Sequence, residues 1–152
     1  MSKILEKLVI RRLTSHVMST GNFNEFQSAY RAGHSTETVL LKIVNDILTS
    51  ACNQLTTVLL SLDLSAAFDT IDHSILFDRA SQDFGIHGTA LSWLQSFVTG
   101  RKQYVAVGPA QSAPANCTTG VPQGSVLGPL LFAMYISVVG NVIAVHDLYY
   151  HQ

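Results

Sequence analysis

Seven residues, Thr56-Thr57-Val58-Leu59-Leu60-Ser61-Leu62, run on without a charge and without apolar–polar alternation, and Asp63 follows them. A strand open to water on one face alternates; a β-branched, apolar run that does not is expected to be covered on both faces, as a central strand is. In layered α/β folds such a strand hands its last side chain to the crevice above the carboxyl ends of the sheet, where ligands bind. The run therefore calls for a sheet with helices packed on it and sets the Asp63 carboxylate at its functional edge. A solvated loop residue or a helix cap is the plainer alternative for a single aspartate.

Helical periodicity fills much of the remaining chain. Residues 2–19 read as an amphipathic helix, with Leu5, Val9, Leu13 and Val17 four apart, Ile4 and Leu8 beside them, and Thr20-Gly21-Asn22 as its end. Phe23 to Gly33 is loop-like. Ser35 is a candidate N-cap with Glu37 in the first turn, and Leu40, Val44, Ile47 and Leu48 mark a buried face. Helices are predicted from Asp72 to Phe84, closed by Gly85, and from Gly88 to Val98, closed by Gly100. Tyr104 to Val107 reads as a short strand, Gly108 to Ala115 as a turn-rich connection, and Asn116 to Thr119 as the returning partner. After Gly120-Val121-Pro122-Gln123-Gly124 a helix runs from about Ser125 to Val139, with Leu127, Leu130, Leu131, Met134 and Val138 on one face. Pro129 fits only its first turn, where a missing N–H costs nothing. This order predicts an α/β (α+β) fold, helices packed on a small sheet. With no repeat, low-complexity tract or linker, one domain is expected over residues 1–152.

Composition narrows the function. A net charge of −1 is low for a phosphate-binding surface, although Lys3, Lys7, Arg11 and Arg12 cluster, as do Arg101 and Lys102. Cys52 and Cys117 lack metal-ligand spacing and suit two reduced thiols in a cytosolic or nuclear protein. Val126 to Val145 carries no charge and is long enough for a membrane span, but its glycines, Pro129 and Asn141 favour a buried helix followed by a strand. No HExxH, Gly-x-Ser-x-Gly or phosphate-loop motif occurs.

Two places remain where chemistry could sit. Asp63 is one, because phosphoryl transfer with paired metals needs carboxylates held on a rigid element. Asp69, Asp72 and His73 offer a rival metal set for hydrolysis, although Asp72, and more weakly Asp69, stand where a helix cap is expected. The Gly120–Gly124 turn is the other: glycines admit positive φ and close approach, Pro122 stiffens the turn, and the Gln123 amide can donate to a sugar or phosphate oxygen. It could equally be no more than the start of a helix.

Read together, these segments are more specific. Phe26-Gln27-Ser28-Ala29-Tyr30-Arg31-Ala32-Gly33-His34-Ser35-Thr36-Glu37-Thr38, the block Asp63 to His73, Phe84-Gly85-Ile86 ahead of Trp93, Arg101-Lys102-Gln103, and Gly120 to Phe132 occur in one order. In that order the chain resembles the reverse transcriptases of non-LTR (LINE-type) retrotransposons over nearly its whole length. The resemblance implies a partial palm and fingers of a right-hand polymerase: residues 1–55 as partial fingers and connecting helices, residues 56–152 as partial palm with motifs A and B. It implies that Asp63 is the motif A aspartate binding catalytic Mg²⁺, with the Leu64 carbonyl as a further oxygen ligand. Phe68 then packs under the incoming deoxyribose and excludes a 2′-hydroxyl, rather than being core alone. Gln123 and Gly124 match the motif B turn beside the nucleotide, and Arg31 assists the triphosphate. RNA template, DNA primer and dNTP are the implied partners, with no membrane.

The same resemblance places a Tyr-Ala-Asp-Asp turn beyond Tyr149-Tyr150-His151-Gln152 and a finger segment with Arg-Pro-Ile ahead of the chain. The expectation is accordingly a fragment of an RNA-directed DNA polymerase that is inactive alone for want of motif C. A non-catalytic nucleic-acid-binding or protein-interaction module derived from the palm is the alternative.

Overall fold

The computed structural model describes every residue except Met1, Asn24, Glu25, Asp147, Tyr149 and Gln152, and only the backbone of Ser2. The last three of these lie in the stretch that the resemblance reads as the approach to motif C, which to that extent falls outside the described residues. The elements are α1 (Ser2–Ser19), α2 (Thr36–Cys52), α3 (His73–Gln82), α4 (Gly88–Val98), β1 (Lys102–Gln103), β2 (Ala106–Val107), β3 (Ala110–Gln111), β4 (Ala115–Asn116), α5 (Gly128–Ile136) and α6 (Val139–Ala144). This is a mixed α+β chain. It divides into two units, Met1–Asn22 with Ala66–Tyr135, and Phe23–Ser65 with Ile136–Gln152.

The first unit holds most of the core. Leu130, Leu131, Ala133 and Met134 of α5 are buried, as is Leu127 just ahead of it, and no residue of α5 is exposed, the signature of a central helix. Leu76 and Ala80 of α3, Leu94, Phe97 and Val98 of α4, and Leu13 and Val17 of α1 are buried in the same unit. Pro129 sits in the first turn of α5, as its missing N–H requires. α1 keeps its predicted bounds, but its buried line is Glu6, Leu13 and Val17, not the Ile4–Leu5–Leu8 side, which is exposed. The reason is polar: the Glu6 carboxylate accepts the Val126 N–H at 2.7 Å, so a satisfied acid occupies the inward position that an apolar tally assigns to leucine. The end of α1 is tied to the end of α3, with His16 Nε2 2.7 Å from the Phe84 carbonyl and the Asn22 amide donating to the Asp83 carbonyl.

The strands form one exposed hairpin in two pieces. β1 pairs antiparallel with β4 (Lys102↔Asn116, Gln103↔Ala115), and β2 with β3 (Ala106↔Gln111, Val107↔Ala110). Pairing thus begins earlier than the predicted 104–107 strand, whose partner Ala110–Gln111 lies inside the predicted connection; of the predicted return 116–119, only Asn116 is in the hairpin. Gly108, φ +58°, takes the first position of the Gly108-Pro109 loop, where a two-residue hairpin turn asks for glycine.

The second unit departs furthest from expectation. Ser35 caps α2 as predicted, in a reciprocal box with Thr38, but no residue of α2 is buried; Leu40, Val44 and Leu48 are exposed. Residues 55–64 form no strand, and Val58 and Leu62 are 87% and 79% exposed. A strand needs ladder partners for its N–H and C=O groups, and none of the described strands pairs with this run. An apolar pattern records the cover a segment can accept, and the described residues leave Val58 and Leu62 exposed. Val139–Ala144, predicted as a strand after the long helix, is a short helix instead. No described helix is long and apolar enough to cross a membrane.

Candidate nucleotide site

The site is built where the loop after residue 65 meets the turn before α5. Ala66 adopts φ +53°, unusual for a residue with a Cβ, and its carbonyl accepts from Asp69 N (2.8 Å), Thr70 N (3.1 Å) and the Thr70 hydroxyl (3.2 Å). This tight turn presents Phe68. The Phe68 carbonyl accepts from Val121 N at 2.9 Å, the Ile71 carbonyl from Gly120 N at 2.8 Å, and Asp72 and Thr119 form a β-bridge. His73 Nε2 lies 2.7 Å from the Gly120 carbonyl, so the ring carries its proton on that nitrogen. Gly120, φ +83°, is pressed against this loop: a Cβ there would sit 3.0 Å from Asp69 Cα, Asp69 O and Phe68 O. Residues 68–73 and 119–123 are thereby stitched together by backbone.

Above the seam lies an open depression of about 300 Å³, lined by Phe68, Pro122, Gln123, Gly124, Ser125, Gly128 and Pro129. The Phe68 ring is half-buried and leans on Phe132, centroids 5.2 Å apart. Gly124 has φ +70° and no atom within contact of a Cβ, so its requirement is conformational. The Ser125 hydroxyl accepts the Gly128 N–H at 2.9 Å and starts α5. Of the residues predicted from the sequence, Phe68, Gln123 and Gly124 therefore share one pocket.

Asp63, Leu64 and Arg31 belong to the other unit. Asp63 follows the exposed 55–62 run, not a buried strand, and its carboxylate pairs with no described residue. Arg31 is half-buried in the turn-rich loop before α2, its N–H donating to the Ser28 carbonyl at 3.3 Å. That unit has its own depression of about 310 Å³, lined by Phe26, Ser28, His34, Thr38, Val39, Lys42 and His151. Lys42 there is committed to Asp46 at 2.7 Å, and its ammonium holds the Asp46 carboxyl below the usual range.

The rival hydrolase set is dispersed into structural work. Asp72 Oδ1 accepts from Ser74 N (2.8 Å) and Ile75 N (3.1 Å) as the N-cap of α3, the role expected for it. The Ser74 hydroxyl and these N–H groups pull the Asp72 carboxyl below its ordinary value. Asp69, read more weakly as a cap, instead receives the Gln123 amide at 3.3 Å on both oxygens. The whole chain, residues 1–152, matches the reverse transcriptase (RNA-dependent DNA polymerase) family. It belongs to that family.

Relatives agree with the non-LTR resemblance. The chain is 37% identical over 139 residues to a probable RNA-directed DNA polymerase from transposon X-element of Drosophila melanogaster, covering 88% of this chain and 14% of that protein. It is 33% identical over 137 residues to the RNA-directed DNA polymerase from mobile element jockey of the same fly, covering 90% and 15%. A Pol polyprotein from type-1 retrotransposable element R1 of Bradysia coprophila matches at 28% over 142 residues, covering 90% and 13%. The chain thus spans about one seventh of the length of the first of these relatives.

Sequence reasoning missed three anchors of this candidate site: the Asp69–Gln123 pairing, the His73–Gly120 contact and the Glu6–Val126 contact. Only Glu6 left a trace, an acid standing seven residues ahead of Leu13 on the buried line of α1. For a divalent cation the region offers hard oxygen donors, but Asp69 and Asp72 are engaged. No group of three potential metal ligands occurs among the described residues. These residues do not by themselves form a complete ligand shell.

Proposed function

We propose that this chain is the part of an RNA-directed DNA polymerase that shapes its deoxynucleotide site, with Phe68 and the 120–124 turn beside the incoming nucleotide. The observation carrying this reading is the pocket in which Phe68, Gln123 and Gly124 meet. By family analogy the chain is partial palm with partial fingers, and the polymer partners are an RNA template and a DNA primer. Asp63 and the Leu64 carbonyl are the proposed oxygen ligands of Mg²⁺, and Arg31 is the proposed triphosphate contact. Paired-metal phosphoryl transfer needs several carboxylates converging on the ions. The chain spans 14% of the length of its X-element relative, and polymerisation is here assigned to the whole polymerase rather than to this chain alone.

Equilibrium binding of deoxy- and ribonucleoside triphosphates, with Mg²⁺, tests the reading. The chain is expected to prefer the deoxynucleotide, and Phe68→Val to bring the ribonucleotide to near parity, because the ring occupies the space a 2′-hydroxyl needs. Equal binding of both by the unaltered chain refutes it. The alternative of a nucleic-acid-binding module draws on one observation, the exposure of Lys3, Lys7, Arg11 and Arg12 on α1.

A further inference from the structure

We infer that Asp69 is a positioning residue for the nucleotide site: it fixes the orientation of the Gln123 carboxamide. The inference rests on the nucleotide-binding reading of Phe68 and Gln123 and adds to it a residue outside the pocket lining. Gln123 Nε2 lies 3.3 Å from both Asp69 carboxylate oxygens, across 54 residues of sequence. An ionised carboxylate only accepts hydrogen bonds, so the amide must turn its NH₂ toward Asp69. Its oxygen is then directed away from Asp69. An exposed glutamine without such a partner samples both amide orientations and several rotamers, and ordering it on binding costs affinity.

The backbone that carries Asp69 is itself fixed, as the support of a positioning group must be. Its N–H donates to the Ala66 carbonyl at 2.8 Å, and its Cα and carbonyl abut Gly120, with no room for a side chain between. His73 holds the Gly120 carbonyl, its Nε2 at 2.7 Å. The backbone that carries Asp69 and the backbone that carries Gln123 are therefore in register before their side chains meet. Phe68, adjacent to Asp69, and Gln123 line the same depression. One short loop thus sets both the apolar wall and the orientation of the polar group beside it.

The test has two arms on the purified chain. In the first, without nucleotide, the side-chain amide resonances of Gln123 are followed by ¹⁵N NMR. Asp69→Asn is expected to shift them, because an asparagine can donate and releases the amide to flip. Asp69→Glu is expected to retain part of the wild-type signature, and Asp78→Asn, on exposed α3 surface, to leave it unchanged. Gln123 resonances identical in Asp69→Asn and wild type overturn the inference. In the second arm, binding of a deoxynucleoside triphosphate with Mg²⁺ is measured for Asp69→Asn, Gln123→Ala and the double variant. Each single variant is expected to weaken binding roughly three- to tenfold, and the double variant no more than the weaker single, since both remove the same constraint. Independent, multiplicative losses overturn the positioning role alone. No nucleotide binding by the unaltered chain refutes the nucleotide-site reading and the positioning role with it.

Discussion

Gly120 shows how one residue decides the site. Two demands coincide there: a φ of +83° and a backbone wall 3.0 Å from where a Cβ would stand. Gly124 has the first demand, at φ +70°, without the second. The pair separates the two effects. Gly124→Ala is expected to cost about 1 kcal/mol of stability, the price of a left-handed alanine. Gly120→Ala is expected to cost roughly 3 kcal/mol, because Phe68 and Asp69 must also move. Urea unfolding followed by circular dichroism measures both, and equal losses would show that the seam yields at no cost. The glycines of this turn were legible in the sequence as a place of close backbone approach. What they approach was not, because the neighbour is the Phe68–Asp69 backbone, and nothing local at either place announces the other. The same holds for Asp69, which looks like a helix cap until Gln123 is brought to it.

Among the elements, α3 depends on a charge. The Asp72 carboxylate is held below its ordinary value of 3.8 first by the Ser74 hydroxyl and then by the Ile75 N–H. A carboxyl with a depressed folded pKa stabilises the fold at pH above its unfolded value and loses that contribution as pH falls through the folded one. Stability is therefore expected to decline more steeply in wild type than in Asp72→Asn as pH falls below 3.8. Thermal melts across that range check the sign, and parallel curves would mean the cap contributes nothing that titrates. α3, α4 and the start of α2 were legible because their signals are local: Asp72 and Ser35 as caps, Gly85 and Gly100 just past the ends. The 56–62 run was misread because a strand is a contract with other strands. Its composition was right for burial, and no described strand meets it. α6 failed for a related reason, since a short apolar stretch fits helix and strand equally and only its neighbours choose.

For the whole molecule the governing quantity is charge, and its arrangement matters more than its sum. A net charge of −1 gives a chain of 152 residues no general attraction for phosphate. Yet Lys3, Lys7 and Arg11 fall four residues apart and, with Arg12, are exposed on α1, so one helix face is basic. A polymerase segment that meets nucleic acid through this face alone should bind weakly, without sequence preference, and with an affinity that salt erodes. Changing Lys7, Arg11 and Arg12 together to glutamine keeps helix propensity and removes the cations. If each neutralises one phosphate of a single-stranded RNA, the slope of log affinity against log salt should fall by about 2, at roughly 0.7 per contact. Fluorescence anisotropy of a labelled oligonucleotide over a range of salt concentrations reads that slope directly. An unchanged slope would remove α1 from the nucleic-acid surface and leave the Phe68–Gln123 pocket to carry the polymerase reading on its own.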